Sequence, residues 1–376
     1  MSSAGQAAGE RPIRVALDMT FPRRYPTWGF SVYARSLLAA LAHVDGVHPQ
    51  EIGGPPRSGL PATLRWLAAG ASAATRSVGA RLLHCPAFVA PWLASVPTVI
   101  SILDAAAWRF PADYPLEWRL YNRLILPRLG RRSRRVVTIS EASRAEVSQY
   151  YGLPVGKIEI TYPGIDEIYF LAPASPGVAE VRGRAGNGGP LLLFVGAPVP
   201  RKNLPLVLRA LGSAPAGSAM ANARLLITGA TDDGFADDRR WIGEHGLAGR
   251  VLWTGPVPQA RMPEMYAAAD VVVYPSRYEG FGLPPLEAMA IGTPVVASNA
   301  SCLPEILGDA AVLVDPDDDA AFAAAVEAAL TRTDLRTGLI ARGRTRAACF
   351  TWRACAQATA NVYRQALGTR PVPQST

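Results

Sequence analysis

Short apolar runs recur along the chain, each followed by a turn-rich stretch and then by a segment whose apolar positions repeat every three to four residues. Residues 13–17 form the first run, closed by Asp18. Pro22, Pro26 and Gly29 mark the turn, and helical spacing follows over 32–41. Helical spacing returns at 62–69 and 116–126, and strand-like runs stand at 81–84, 98–103 and 135–139. The alternation restarts at 191–195 and continues through 224–228, 251–254, 271–274, 295–297 and 311–314. A closing helix is expected at 352–367 and a loose tail at 368–376. Apolar strands alternating with helices predict parallel sheets covered on both faces.

Length turns this pattern into two domains, because 376 residues exceed the size at which one core keeps growing. The expected fold is α/β, with Rossmann-like domains at 1–171 and 191–351 and the closing helix and tail at 352–376. The stretch 172–190, rich in Gly, Pro, Ala and Ser, reads as the linker. The chain is 49% hydrophobic and 18% charged, a balance suited to a folded domain rather than disorder. His84, Pro86, Pro91 and Pro97 interrupt the apolar stretch 82–103, so no transmembrane helix is predicted. The first ten residues lack a basic-then-apolar signal, and a cytoplasmic location is expected. Four scattered cysteines suggest neither a zinc site nor a disulfide framework. The net charge of +8 suits an anionic ligand, a nucleic acid or an acidic membrane, and does not choose among them.

Two stretches carry the chemistry. The first runs from Tyr274 to Ser298 and contains Glu279-Gly280-Phe281-Gly282-Leu283-Pro284-Pro285-Leu286-Glu287. A strand ending at Tyr274, a glycine-bearing loop and prolines suited to a first helical turn would turn backbone N–H groups and a helix dipole toward an anion such as a diphosphate. Two carboxylates beside it suit vicinal hydroxyls, one on a sugar and one on a ribose. The second stretch places Arg201 and Lys202 just after Gly196 and the strand 191–195. A planar guanidinium and a mobile ammonium together neutralise a diphosphate leaving group. Only Lys157 and Lys202 are lysines among 38 basic residues, so lysine at 202 stands out against an arginine background.

This pattern resembles family 4 of the retaining glycosyltransferases, whose C-terminal domains carry two glutamates separated by seven residues, as Glu279 and Glu287 are. The resemblance implies two domains facing across a cleft (the GT-B fold), with a nucleotide-sugar donor bound mainly by the second and a glycan, lipid-linked or small-molecule acceptor by the first. It implies that Glu279 contacts donor-sugar hydroxyls, Glu287 the ribose, the Gly280–Leu283 backbone the phosphates, and Arg201 with Lys202 the pyrophosphate. It further implies retention without a bound metal or cofactor, the donor being a substrate. Asp317, Asp318 and Asp319 form no convincing divalent-metal motif.

The first domain departs from the family pattern. Of the usual glycine-rich loop only Gly29 is a glycine, and the usual His-Asp pair is Leu103-Asp104. Asp104 is expected to orient an acceptor hydroxyl or to cap the next segment. His84 resembles a family histidine of the pocket, with a structural histidine as the equal alternative. Ser143 and Glu146 have capping-box spacing, which predicts Ser143 as a helix cap. The cluster Arg128, Arg131, Arg132, Arg134 and Arg135 suits either a solvated helix end or contact with an anionic membrane at its inner face. No nucleic-acid module is recognisable. The rival functions are another enzyme on this scaffold, such as a phosphorylase or epimerase, and a non-catalytic sugar-nucleotide binder.

Overall fold

The computed structural model describes residues 12–26, 28–54, 60–171, 175–186, 188–197, 199–229 and 235–369. They form two compact units, one comprising residues up to Gly164 together with those from Trp352 onward, the other Ile165–Thr351. Each unit is built on its own parallel six-stranded sheet covered by helices, so both are Rossmann-like.

The first sheet contains β1 (Ile13–Asp18), β2 (Val47–Ile52), β3 (Leu82–Cys85), β4 (Thr98–Ser101), β5 (Arg135–Thr138) and β6 (Ile158–Ile160), in the order β2-β1-β3-β4-β5-β6. β2 and β6 have no counterpart in the apolar pattern, for a physical reason. Both lie at sheet edges, where a strand needs little apolar surface and tolerates a missing N–H. β2 accordingly carries Pro49 and a mostly solvent-facing Val-His-Pro-Gln-Glu-Ile sequence, and β6 is three residues long. The stretch 82–103 is two strands and their connection. Among the described residues no helix is long and apolar enough to cross a membrane.

The second sheet contains β7 (Leu191–Val195), β8 (Arg224–Thr228), β9 (Val251–Gly255), β10 (Val271–Tyr274), β11 (Val295–Ser298) and β12 (Val312–Val314). Its order, β12-β11-β10-β7-β8-β9, is the doubly wound 3-2-1-4-5-6 arrangement read within the unit. Strand order reverses between β7 and β10, and the carboxyl ends of the strands at such a reversal are where doubly wound folds bind ligands. Arg201 and Lys202 follow β7, and Glu279 follows β10. Leu192, Phe194, Val271, Val273 and Val296 anchor this edge in the core.

Three expectations change. The stretch 172–190 contains the helix Ser175–Ala185, and this helix belongs to the second unit: Arg182 bonds Asp270 at 2.8 Å, and Asp270 in turn accepts the Leu191 N–H at 2.8 Å. The chain passes between units at Gly164 and Ile165, inside the Tyr162–Asp166 segment, and returns at Trp352. The helix Glu141–Tyr151 is capped by Ser140, whose Oγ accepts the Ser143 N–H at 3.0 Å. Ser143 is therefore the capped residue, not the cap.

Candidate active site

β7 ends at Val195, and Gly196 closes it by donating its N–H to the Thr228 carbonyl at 3.0 Å. A tight turn over Pro200–Lys202 follows, and Asn203 adopts the left-handed conformation (φ 57°) before the helix Leu204–Gly212. Asparagine tolerates this backbone, and here its amide donates to the carbonyls of Pro275 (3.3 Å) and Pro316 (2.9 Å). The Arg277 N–H donates to the Arg201 carbonyl at 2.8 Å. The β7 and β10 loops are thereby tied into one structure.

Glu279 is the electrostatic centre of that structure. Its carboxylate is buried, accepts from Lys202 Nζ at 2.6 Å, and lies 3.5 Å from the Arg201 guanidinium. Lys202 also donates to the Tyr274 hydroxyl oxygen at 3.0 Å. Burial alone would raise the Glu279 carboxyl. Lys202 and Arg201 outweigh it and hold the group below its ordinary value. Two cations against one carboxylate leave a surplus positive charge where the strand order reverses.

The helix Leu283–Ile291 begins beside this group. Gly282 precedes it with φ +102°, and a Cβ there would stand 2.9 Å from Leu303 Cδ2, so backbone angle and space both demand glycine. No side chain caps the helix, and Pro284 and Pro285 contribute no N–H, which leaves Leu283 as the one N–H donor among its first three positions. Gly280 and Phe281 lie in the loop between Glu279 and this helix. Cys302 donates its thiol to the carbonyls of Glu279 (3.2 Å) and Phe281 (3.1 Å), and Ser301 Oγ donates to the Glu279 carbonyl at 2.7 Å. These braces come from the far side of β11, so spacing along the chain gave no sign of them.

Glu287 stands apart from the Lys202–Glu279 pair. Tyr266 donates to its carboxyl at 2.6 Å, and burial pushes that carboxyl up to about 7 against the hydrogen bonds from Tyr266 and Tyr169. The motif's two carboxyls thus differ: one is firmly ionised, while the other titrates near neutrality, where a diol is a suitable partner for either form.

The first unit's candidates are less closely grouped. Gly29 opens the helix Gly29–Leu41, with open space where a Cβ would stand. Asp104 is half-buried and accepts the Ala106 N–H at 3.0 Å, the capping alternative. Leu103 is buried, and its carbonyl accepts from Thr138 Oγ1. Asp18 stands at the carboxyl end of β1, where the sequence pattern marks only the close of a strand. It is buried and accepts from Thr20 and from Trp66 Nε1 (2.9 Å), a partner 48 residues away.

His84 has the environment of a structural histidine. It is fully buried, with Nδ1 2.7 Å from the Tyr363 hydroxyl and Nε2 2.9 Å from Ser101 Oγ, and burial lowers it to about 3. Both ring nitrogens are occupied: Nδ1 fastens the helix Trp352–Leu367 to the first sheet, and Nε2 ties β3 to β4 within that sheet. His84→Ala should therefore lower stability by about 2–4 kcal/mol, from a cavity plus two orphaned hydroxyls, without lowering kcat. Thermal unfolding measured beside turnover checks this; a lost kcat at unchanged Tm would return His84 to the reactive site.

Asp317, Asp318 and Asp319 are engaged separately. Asp317 pairs with Arg277, Asp318 caps the helix Asp319–Thr331, and Asp319 is held by Arg209 at 2.6 and 2.8 Å.

Comparison with known proteins matches both halves. Residues 28–169 match the family described as Glycosyltransferase Family 4, and residues 181–346 the one described as Glycosyl transferases group 1. The chain is 33% identical over 289 residues to an O-antigen chain mannosyltransferase B of Escherichia coli, a match covering 75% of this chain and 74% of that protein. It is 35% identical over 257 residues to a D-inositol 3-phosphate glycosyltransferase of Kineococcus radiotolerans, covering 63% of this chain and 58% of that longer relative. Among solved structures, a sucrose-phosphate synthase from Thermosynechococcus elongatus superposes with a TM-score of 0.77 at 22% identity, covering 95% of this chain and 99% of the other, a likeness of fold.

Proposed function

Because the chain belongs to glycosyltransferase family 4, we propose that its second unit binds a nucleotide-sugar donor and that the enzyme transfers the sugar with retention at the anomeric carbon. The observation that carries this reading is the buried Glu279 held between Lys202 and Arg201 where strand order reverses in the second sheet. On donor binding the diphosphate takes up the surplus positive charge and the Leu283 N–H, while Glu279 accepts from sugar hydroxyls and Glu287 from the ribose. The bond from the anomeric carbon to the leaving phosphate oxygen breaks as the bond to the acceptor oxygen forms on the same face. The acceptor's proton passes to the departing phosphate, so no separate protein base is required. Arg201 and Lys202 stabilise charge that grows on the leaving group, which is how fixed cations lower the barrier.

The acceptor is a glycan, a lipid-linked sugar or a small hydroxyl compound, and the enzyme works in the cytoplasm, with the arginine-rich first unit in peripheral contact with an anionic membrane.

Since protein cations stand where other transferases employ a divalent ion, transfer should be insensitive to chelation. UDP-, GDP-, ADP- and dTDP-sugars are offered in excess EDTA with an acceptor panel, and the nucleoside diphosphate and glycoside are measured together. Equal amounts of both are expected from at least one donor. Activity that disappears in EDTA and returns only with a divalent ion contradicts the leaving-group assignment; a sugar phosphate or an epimerised donor as product contradicts transfer.

A further inference from the structure

The helical run over residues 116–132 consists of Leu116–Leu120, a wider π turn at Tyr121–Ile125 and Leu126–Arg132. The turn widens just before Pro127, which cannot supply a helical N–H. The inner face is ordinary: Leu126 and Leu129 join the first unit's core, and Gly130 lets Leu153 approach to where a Cβ would be 2.8 Å away. The outer face is not. Leu116, Leu120 and Leu124 succeed one another every fourth residue and are 59%, 47% and 51% exposed. Arg128 and Arg132 continue the same four-residue series. A helix required only to cover a sheet would have polar side chains there.

At its carboxyl end this helix borders a cavity of about 950 Å³ in the first unit. Arg131, Arg132, Arg134, Arg135 and Lys157 line it, and among the described residues no acidic one does. Their bonds go mainly to carbonyls, which leave the charge in place: Arg132 donates to the Trp92 carbonyl and Lys157 to that of Arg131. The nearest carboxylate contact is Arg135 to Glu159 at 3.9 Å. Partial burial, and repulsion by Arg135 and Arg134, pull the Lys157 ammonium below its ordinary value. On the rim, Trp92 and Leu93 are exposed, Leu93 by 71%.

An apolar stripe running into a cationic cavity with an apolar rim is complementary to an amphiphile with an anionic head, and to neither a polar polyanion nor a neutral apolar partner. We propose that the leucine stripe and the arginine-lined cavity form one docking face for an anionic phospholipid bilayer, with the leucines, Trp92 and Leu93 at the acyl boundary and the cavity receiving headgroups. The proposal deepens the membrane contact stated above and rests on the transferase reading only for its purpose, bringing the enzyme to a lipid-linked acceptor.

The test is co-sedimentation of the full chain with phosphatidylcholine vesicles, with and without phosphatidylglycerol, at low and high salt. The wild type should partition onto the anionic vesicles and be weakened by salt. Leu116→Ser/Leu120→Ser/Leu124→Ser should weaken partitioning by about tenfold or more, since three half-exposed leucines lose their insertion. Arg131→Gln/Arg134→Gln should remove the preference for phosphatidylglycerol. Circular dichroism and nucleotide-sugar thermal shift, which reports the second unit, should be unchanged in both variants, so docking and transfer fail separately. The proposal is overturned if the wild type binds neither vesicle or if the leucine variant binds as well as the wild type. It is also overturned if inorganic phosphate stabilises the protein while vesicles do not bind, or if the leucine variant converts a dimer to a monomer without affecting vesicles.

Discussion

Arg201→Ala/Lys202→Ala should lower kcat/KM for transfer by about 10³-fold or more, and Glu279→Gln by roughly 10²-fold, with secondary structure intact in both. Removing one donor aimed at developing charge typically costs about 10²–10³ in rate, and the double variant removes two. The losses should not add when all three changes are combined, because Glu279 positions Lys202 through a 2.6 Å bond and the group acts as a unit. Turnover beside circular dichroism decides it; near-wild-type transfer in either variant would place the donor elsewhere.

The same contacts predict a large stability effect with a definite pattern. Lys202→Met leaves a buried carboxylate whose closest cation is gone, and removing one member of a buried pair costs about 3–5 kcal/mol. Arg201, still 3.5 Å from Glu279, offsets part of that, so a loss of about 2–4 kcal/mol is expected. Lys202→Met/Glu279→Gln should be less destabilised than the sum of the two single variants, since no uncompensated charge remains. The acid limb gives a second signature. Glu279 is held below its ordinary carboxyl value of 4.5, so its contribution is complete above that pH and is lost as pH falls through the lowered value. Lys202→Met should flatten this part of the stability profile. Denaturant unfolding of the four proteins across the acid range measures both effects, and strict additivity would mean the pair is not coupled.

What the sequence made legible follows from where each residue lies. The central strands of both sheets are buried on two faces and must be apolar runs, so 191–195, 224–228 and 271–274 were readable to the residue. The edge strand β2 is mostly solvent-facing and β6 is only three residues long, so neither leaves such a run. Glu279, Lys202 and Arg201 were legible as chemistry because charge beside glycine after a buried strand has few structural uses. That they pair with one another was not, since the partners are 77 residues apart and meet only through the sheet order. Ser301, Cys302 and Tyr266 escaped for the same reason. His84 shows the converse: it ends a strand at the edge where pockets form, but the helix returning from residue 352 covers it, and nothing near residue 84 announces that helix.

The central claim, that Arg201 and Lys202 of the second unit, positioned by Glu279, hold the donor's diphosphate, is tested most directly by calorimetric titration of nucleoside diphosphates and their sugars into the wild type and Arg201→Ala/Lys202→Ala in EDTA. The account predicts saturable binding of at least one nucleotide to the wild type, weakened by about two orders of magnitude or more in the double variant, as expected for two lost charge-assisted contacts. Equal affinity in the two proteins would contradict it.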